Sequence, residues 1–146
     1  MSFVMSKIER EAFLRETRVG ILSVAQPGRG PLAVPVWYAY SPGGAVRMVV
    51  SSVSRKAELL QAAGRASLCV QADAPPYKYV SVEGPAVLGE PDFERDEREM
   101  AHRYLGAQMG ERYLAATATE RAAVPNVLVS LQPERWLSVD YGKMSF

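Results

Sequence analysis

The sequence predicts a mainly β fold: a small barrel of six or seven antiparallel strands with peripheral helices. Three observations lead there. Short β-branched and aromatic runs recur along most of the chain, separated by turns rich in Gly and Pro. Helical patterns fall at the front, in the middle and before the last two strand runs, without the strand–helix alternation that builds a parallel sheet. Closing an antiparallel meander on itself is the simplest way to leave no bare edge, and 146 residues at 48% apolar and 23% charged suit one such domain.

The elements follow in order. Ser6 stands three residues before Glu9, the spacing at which each side chain meets the other's backbone N–H, and predicts a helix over 7–16. Strands are expected in VGILSVA, LAVPVWYAY and AVRMVVSS, a three-stranded meander joined by the turns QPGRGP and SPGG. Pro35 cannot donate to a ladder, which puts its strand at an edge or a bulge. Ser54 caps a short helix that begins at Arg55. ASLCVQA is the fourth strand and YKYVSVEGPAVLG a long fifth. PDFERDEREMAHRYLG begins with Pro91, stops at Gly106 and sets Met100, Ala101, Tyr104 and Leu105 on one helical face. GERYLAATATERAA reads as a second helix, and NVLVSL and RWLSVDY as the last two strands. Val24, Val36, Val50 and Val82 are expected inside the barrel, which leaves a ligand to bind outside it or between subunits.

Seventeen Lys and Arg against sixteen Asp and Glu leave a net charge of +1, too little to attract nucleic acid or an anionic membrane. The longest apolar runs are about half of the ~20 residues that span a bilayer, and the amino terminus lacks the apolar core of a signal peptide. A cytoplasmic protein without nucleic-acid or membrane partners is expected. One cysteine, Cys69, and one histidine, His102, leave no intramolecular disulfide and no Cys/His zinc cluster. His102 lies in the charged run DFERDEREMAHRY and is expected on a solvated helix face; Cys69, within SLCVQA, reads as a buried, inert thiol. No side chain stands out as a catalytic acid or base, so a bound cofactor is expected to carry any chemistry, with Tyr38, Tyr79 and Lys78 as open choices of proton donor.

The most informative stretch is VVSSVSRKAELLQAAGRASLCV. A helix start presents unpaired N–H groups, Ser51, Ser52 and Ser54 offer hydroxyls, and Arg55 and Lys56 supply a fork and a point charge, which together are the parts of a phosphate site. On spacing alone the same residues also read as a capped helix with two solvated cations. Ser54-Arg55-Lys56-Ala57, with Ala66-Ser67-Leu68 opening the next strand, resembles the phosphate-binding segment of the pyridoxamine 5′-phosphate oxidase-like, FMN-binding split-barrel family. LAVPVWYAY, YVSVEGPAVL with its Glu83-Gly84, and a terminal strand with Pro133 and Trp136 follow the family order, over roughly residues 8–141.

The resemblance implies a homodimer of split β-barrels with two cofactor sites at the subunit interface. Arg55 and Lys56 would hold the cofactor phosphate, with Ser54 capping the helix and Ser51 or Ser52 assisting. Val34, Pro35, Val36, Trp37 and Tyr38 would run beside the tricyclic ring, and Tyr77, Lys78 and Trp136 would be walls from the partner chain. Trp37 and Tyr38 point in opposite directions, so one faces the interior and the other a ligand or partner; Tyr38 is kept among the ligand candidates. The implied function is an oxidoreductase that uses FMN or coenzyme F-420 to pass hydride to or from a small unsaturated organic substrate. The ending SVDYGKMSF lacks the Arg- and His-bearing segment of the pyridoxamine phosphate oxidases and is similar to the deazaflavin-dependent branch. That implies F-420 as the coenzyme of turnover, with Lys78 and Arg47 as candidate cations for its acidic tail. The alternatives are a non-catalytic flavin- or haem-type ligand carrier and pyridoxamine 5′-phosphate oxidase itself.

Overall fold

Residues 2–144 are described by the computed structural model. The chain runs α1 (Lys7–Arg15), β1 (Gly20–Val24), β2 (Leu32–Val36), β3 (Val46–Ser51), α2 (Arg55–Ala63), β4 (Arg65–Gln71) and β5 (Lys78–Gly89). A π-helical segment (Phe93–Arg98) then leads into α3 (Glu99–Leu105), α4 (Ala107–Ala116) and α5 (Ala118–Ala123), before β6 (Asn126–Leu131) and β7 (Arg135–Asp140). All strand pairings are antiparallel.

The strands follow the order β2-β1-β4-β5-β6-β3, with β7 paired to β5. An isolated bridge between Ala39 and Arg47 brings the chain after β2 back to β3 and joins the two ends of that order. The result is the mainly antiparallel split barrel with peripheral helices. It depends on β5, whose first half pairs with β4 and β7 while Ala86–Gly89 pairs with β6. Gly84 lies where β5 changes partners, and a Cβ there would overlap the Gln132 carbonyl oxygen, so only glycine fits.

Val24, Val36, Val50 and Val82 are all buried, among Leu22, Met48, Leu68 and Leu131. Each such side chain contributes about 1.5–3 kcal/mol through its removal from water. The strand β2 has a continuous ladder on one side only, as Pro35 requires. It is shorter than LAVPVWYAY suggested, because the Tyr38 backbone is held by side chains: its N–H donates to the Tyr104 hydroxyl at 3.0 Å, and its carbonyl accepts from Arg103 Nε at 3.0 Å.

The α1 cap forms as read, with Ser6 N–H donating to Glu9 Oε1 at 2.8 Å and Glu9 N–H to Ser6 Oγ at 3.2 Å. Glu9 also accepts from Lys143 Nζ at 2.7 Å, and this bond, with those from Ser6, lowers its pKa to about 2. A lowered folded-state pKa means stability that is present above the ordinary carboxylate range and lost as pH falls toward about 2. Urea midpoints are therefore expected to drop across that window, and Lys143→Ala to make the drop shallower.

Three expectations are corrected. Residues 93–105 are not one α-helix beginning with Pro91 but a π-helical segment followed by α3, and Asp92 caps the segment by accepting from Arg95 N–H at 3.1 Å. The helix read in GERYLAATATERAA starts earlier and breaks at Thr117, whose hydroxyl donates back to the Tyr113 carbonyl at 2.9 Å. Cys69 is exposed, because it alternates with buried Leu68 and Val70 and takes the outward phase of β4. Its thiol pKa is raised by partial desolvation. No described helix is long and apolar enough to cross a membrane.

Candidate functional site

One large cleft, of about 810 Å³, opens between the barrel and the helical segment 93–123. Its barrel wall is the end of β2 (Pro35, Val36, Trp37) and the outward side of β3 (Val49, Ser51). Lys56, at the start of α2, stands at the end of that wall. The opposite wall comes from the π-helical segment and α3–α5, chiefly Glu97, Met100, Tyr113, Leu114 and Arg121. The volume is that of a small-molecule site, and the lining is largely apolar with a few placed polar groups.

Local chemistry positions each part. Ser54 Oγ accepts from Ala57 N–H at 3.1 Å and donates to the Ser51 carbonyl at 2.7 Å, so it caps α2 and fixes the turn rather than facing the cleft. Arg55 is half exposed and paired with Glu58 at 2.9 Å. Lys56 is half-buried, and no acidic side chain among the described residues comes within 4.0 Å of it. Trp37 stacks on Tyr104 (centroids 5.0 Å apart, 2° between planes) and meets Tyr113 at 5.6 Å, which makes a flat aromatic wall fixed from behind.

The expected site residues therefore divide. Pro35, Val36, Trp37, Ser51 and Lys56 meet at the cleft. Ser52 and Val34 do not line it; Ser52 borders a separate groove beside α2, and Val34 packs on the core. Tyr38 is corrected: its side chain is fully buried, donating its hydroxyl to the Leu14 carbonyl at 2.8 Å. Burial pushes its pKa well above the ordinary tyrosine value, and with its hydroxyl bonded inside the fold the side chain does not line the cleft. Trp37 is the member of that pair that lines the cleft. Lys78, Tyr79 and Tyr77 sit at the start of β5 beside β7, apart from the cleft of their own chain. Trp136 is engaged within its own chain, edge-on to Tyr40 at 6.1 Å with the Arg10 guanidinium 4.6 Å above its ring.

Arg47 is corrected as a free cation, because its guanidinium donates to Asp96 Oδ1 at 2.8 Å. Asp96 is fully buried and also accepts from Arg95 Nε, Arg95 Nη2 and Asp92 N–H, each at 2.8 Å. This network ties the π-helical segment to β3 and holds one wall against the other. The helical wall went unread in the sequence, because its docking joins residues 49 positions apart and a surface helix carries no local sign of what it covers.

The family model for pyridoxamine 5′-phosphate oxidase matches residues 6–140. The chain belongs to that family. Among solved structures, the conserved hypothetical protein Rv2991 of Mycobacterium tuberculosis is 25% identical in sequence, with a TM-score of 0.78 over 99% of this chain and 92% of that one. A FAD-binding protein of Mesorhizobium loti is also 25% identical, with a TM-score of 0.62 and 92% of each chain covered. An F420 reductase at 19% identity and a TM-score of 0.65, over 87% of this chain and 94% of that one, shares the fold. The comparison with curated proteins finds no match.

Proposed function

We propose that this family member is an oxidoreductase that holds a phosphate-bearing flavin-type cofactor in the cleft and passes hydride to or from a small unsaturated organic molecule. The observation that carries the reading is Lys56: a half-buried ammonium with no carboxylate within 4.0 Å among the described residues, at a helix start, at the end of an apolar cleft walled by Trp37. The residues fit such a group. The first turn of the nine-residue α2 and Lys56 suit a phosphate, and the Trp37 face beside Val49 suits a flat ring. When bound, the flavin supplies the hydride chemistry. The chain's own part is to orient the ring along β2 and to exclude water with the 93–123 wall.

Among the described residues lining the cleft, Lys56 is the cation with no hydrogen-bond partner, Arg121 being held by Thr117 and the Leu114 carbonyl, and this matches the single phosphate of FMN. Of the cations considered for the acidic tail of F-420, Arg47 holds Asp96, and Lys78 lies apart from the cleft of its own chain and would reach it only from a partner. FMN is therefore placed ahead of F-420. Titration of the purified protein with each, followed by anaerobic reduction and reoxidation by air or by organic acceptors, tests this. FMN binding with turnover supports the reading; F-420 binding alone reverses the order of the two, and binding without turnover points to a carrier.

The same reading includes a homodimer. Across β2, β1, β4, β5 and β7, the outward residues Pro35, Ile21, Cys69, Ser81 and Leu137 fall in register and carry no charge. Ile21 is 41% and Leu137 59% exposed, so this face is suited to cover by a second copy. The protein is expected to sediment as a dimer at micromolar concentration and Leu137→Glu as a monomer; a monomeric parent would contradict the shared site.

A further inference from the structure

We infer that Glu97 sets the substrate class: beyond Lys56, the cleft takes an apolar molecule bearing a hydrogen-bond-donating or positively charged nitrogen, and disfavours acids. The inference rests on the flavin reading above, in which Lys56 is engaged by a phosphate. Glu97 is half-buried in the cleft wall, and its Oε1 accepts from Asn126 Nδ2 at 2.6 Å. Asn126 opens β6 opposite Ser51, so the carboxylate is oriented from the barrel floor rather than left to rotate. Among the described residues no donor is bonded to Oε2.

The cations nearby are already committed. Arg121 donates to Thr117 Oγ1 at 2.8 Å and to the Leu114 carbonyl at 3.0 Å, with its guanidinium 5.2 Å from the Phe93 ring. Arg47 and Arg95 both hold Asp96. With a phosphate on Lys56, the charges left in the cleft lining are Glu97 and, at the exposed rim, Glu120 against Arg121, whose partners are neutral, so the remaining field is net negative. Met100, Ala101 and Leu114, all buried, form apolar surroundings in which such a charge acts more strongly than in water. A donor nitrogen would complete Oε2, whereas a second carboxylate would meet like charge.

Tryptamine and indole-3-acetate, one aromatic body with opposite charges, are the probes. Calorimetric titration of the FMN-loaded protein is expected to give tryptamine about a tenfold to hundredfold advantage, the worth of one charge-assisted hydrogen bond. Glu97→Gln keeps an oxygen for Asn126 and is expected to remove most of that advantage, while Glu120→Gln removes less. Equal or tighter binding of indole-3-acetate, an advantage that survives Glu97→Gln, or no saturable binding of tryptamine at millimolar concentration would overturn the inference. The visible flavin spectrum of the same sample reports loading. A protein that takes no flavin while still showing the Glu97-dependent preference contradicts the cofactor reading alone.

Discussion

Replacing Asp96 with alanine is expected to lower folding stability by about 3–5 kcal/mol, the range for breaking a buried charge network from one side. The carboxylate is fully buried and accepts four hydrogen bonds, from Arg47, twice from Arg95, and from the Asp92 backbone. Alanine would leave the half-buried Arg47 guanidinium without its carboxylate and free the π-helical segment from β3. Burial alone would raise the Asp96 pKa, but the bonds from Arg95, Asp92 and Arg47 outweigh it and the net shift is downward. The sign follows: the contribution is present above the ordinary carboxylate range and lost as pH falls through the lowered value. Urea midpoints at neutral pH measure the loss, and in Asp96→Ala the acid-side decline should be shallower than in the parent.

The second large effect concerns binding. Lys56→Ala is expected to weaken FMN about tenfold to hundredfold, since one charge-assisted phosphate contact contributes about 1.5–3 kcal/mol. Folding should change little. Lys56 makes no ion pair within 4.0 Å among the described residues, the Ser54 cap stays in place, and alanine is a good helix former. Arg55→Ala should cost less affinity, because that guanidinium is already shared with Glu58 and lies outside the cleft lining. Fluorescence titration of both variants checks the order, and a larger loss in Arg55→Ala would move the phosphate to the outer side of the turn.

Local rules carried much of the fold into the sequence. The Ser6–Glu9 capping box, the Ser54 cap and the alternation that buries the four valines are decided by neighbours within a few residues, and each is present. Phase was harder where apolar residues follow one another. In SLCVQA, three consecutive apolar residues conceal which face is inward, and Cys69 fell on the outer one. Trp37 and Tyr38 posed the same question, and the Tyr38 backbone is held by a bond to the Tyr104 hydroxyl and one from Arg103, which belong to a helix 65 residues or more away in the chain. The candidate site divided along the same line. Its barrel half, from Pro35 to Lys56, is a local strand-and-turn motif, whereas Glu97, Tyr113 and Arg121 reach the cleft only because α3–α5 dock over β3.

The central claim is that a flavin phosphate is held at Lys56, and comparing FMN with riboflavin tests it most directly, since the two share a ring and differ by the phosphate. Fluorescence titration of the parent is expected to show FMN bound at least about tenfold more tightly than riboflavin, and Lys56→Ala to narrow that gap while riboflavin affinity stays nearly constant. Equal affinities in the parent, or a gap unchanged by Lys56→Ala, would contradict the account.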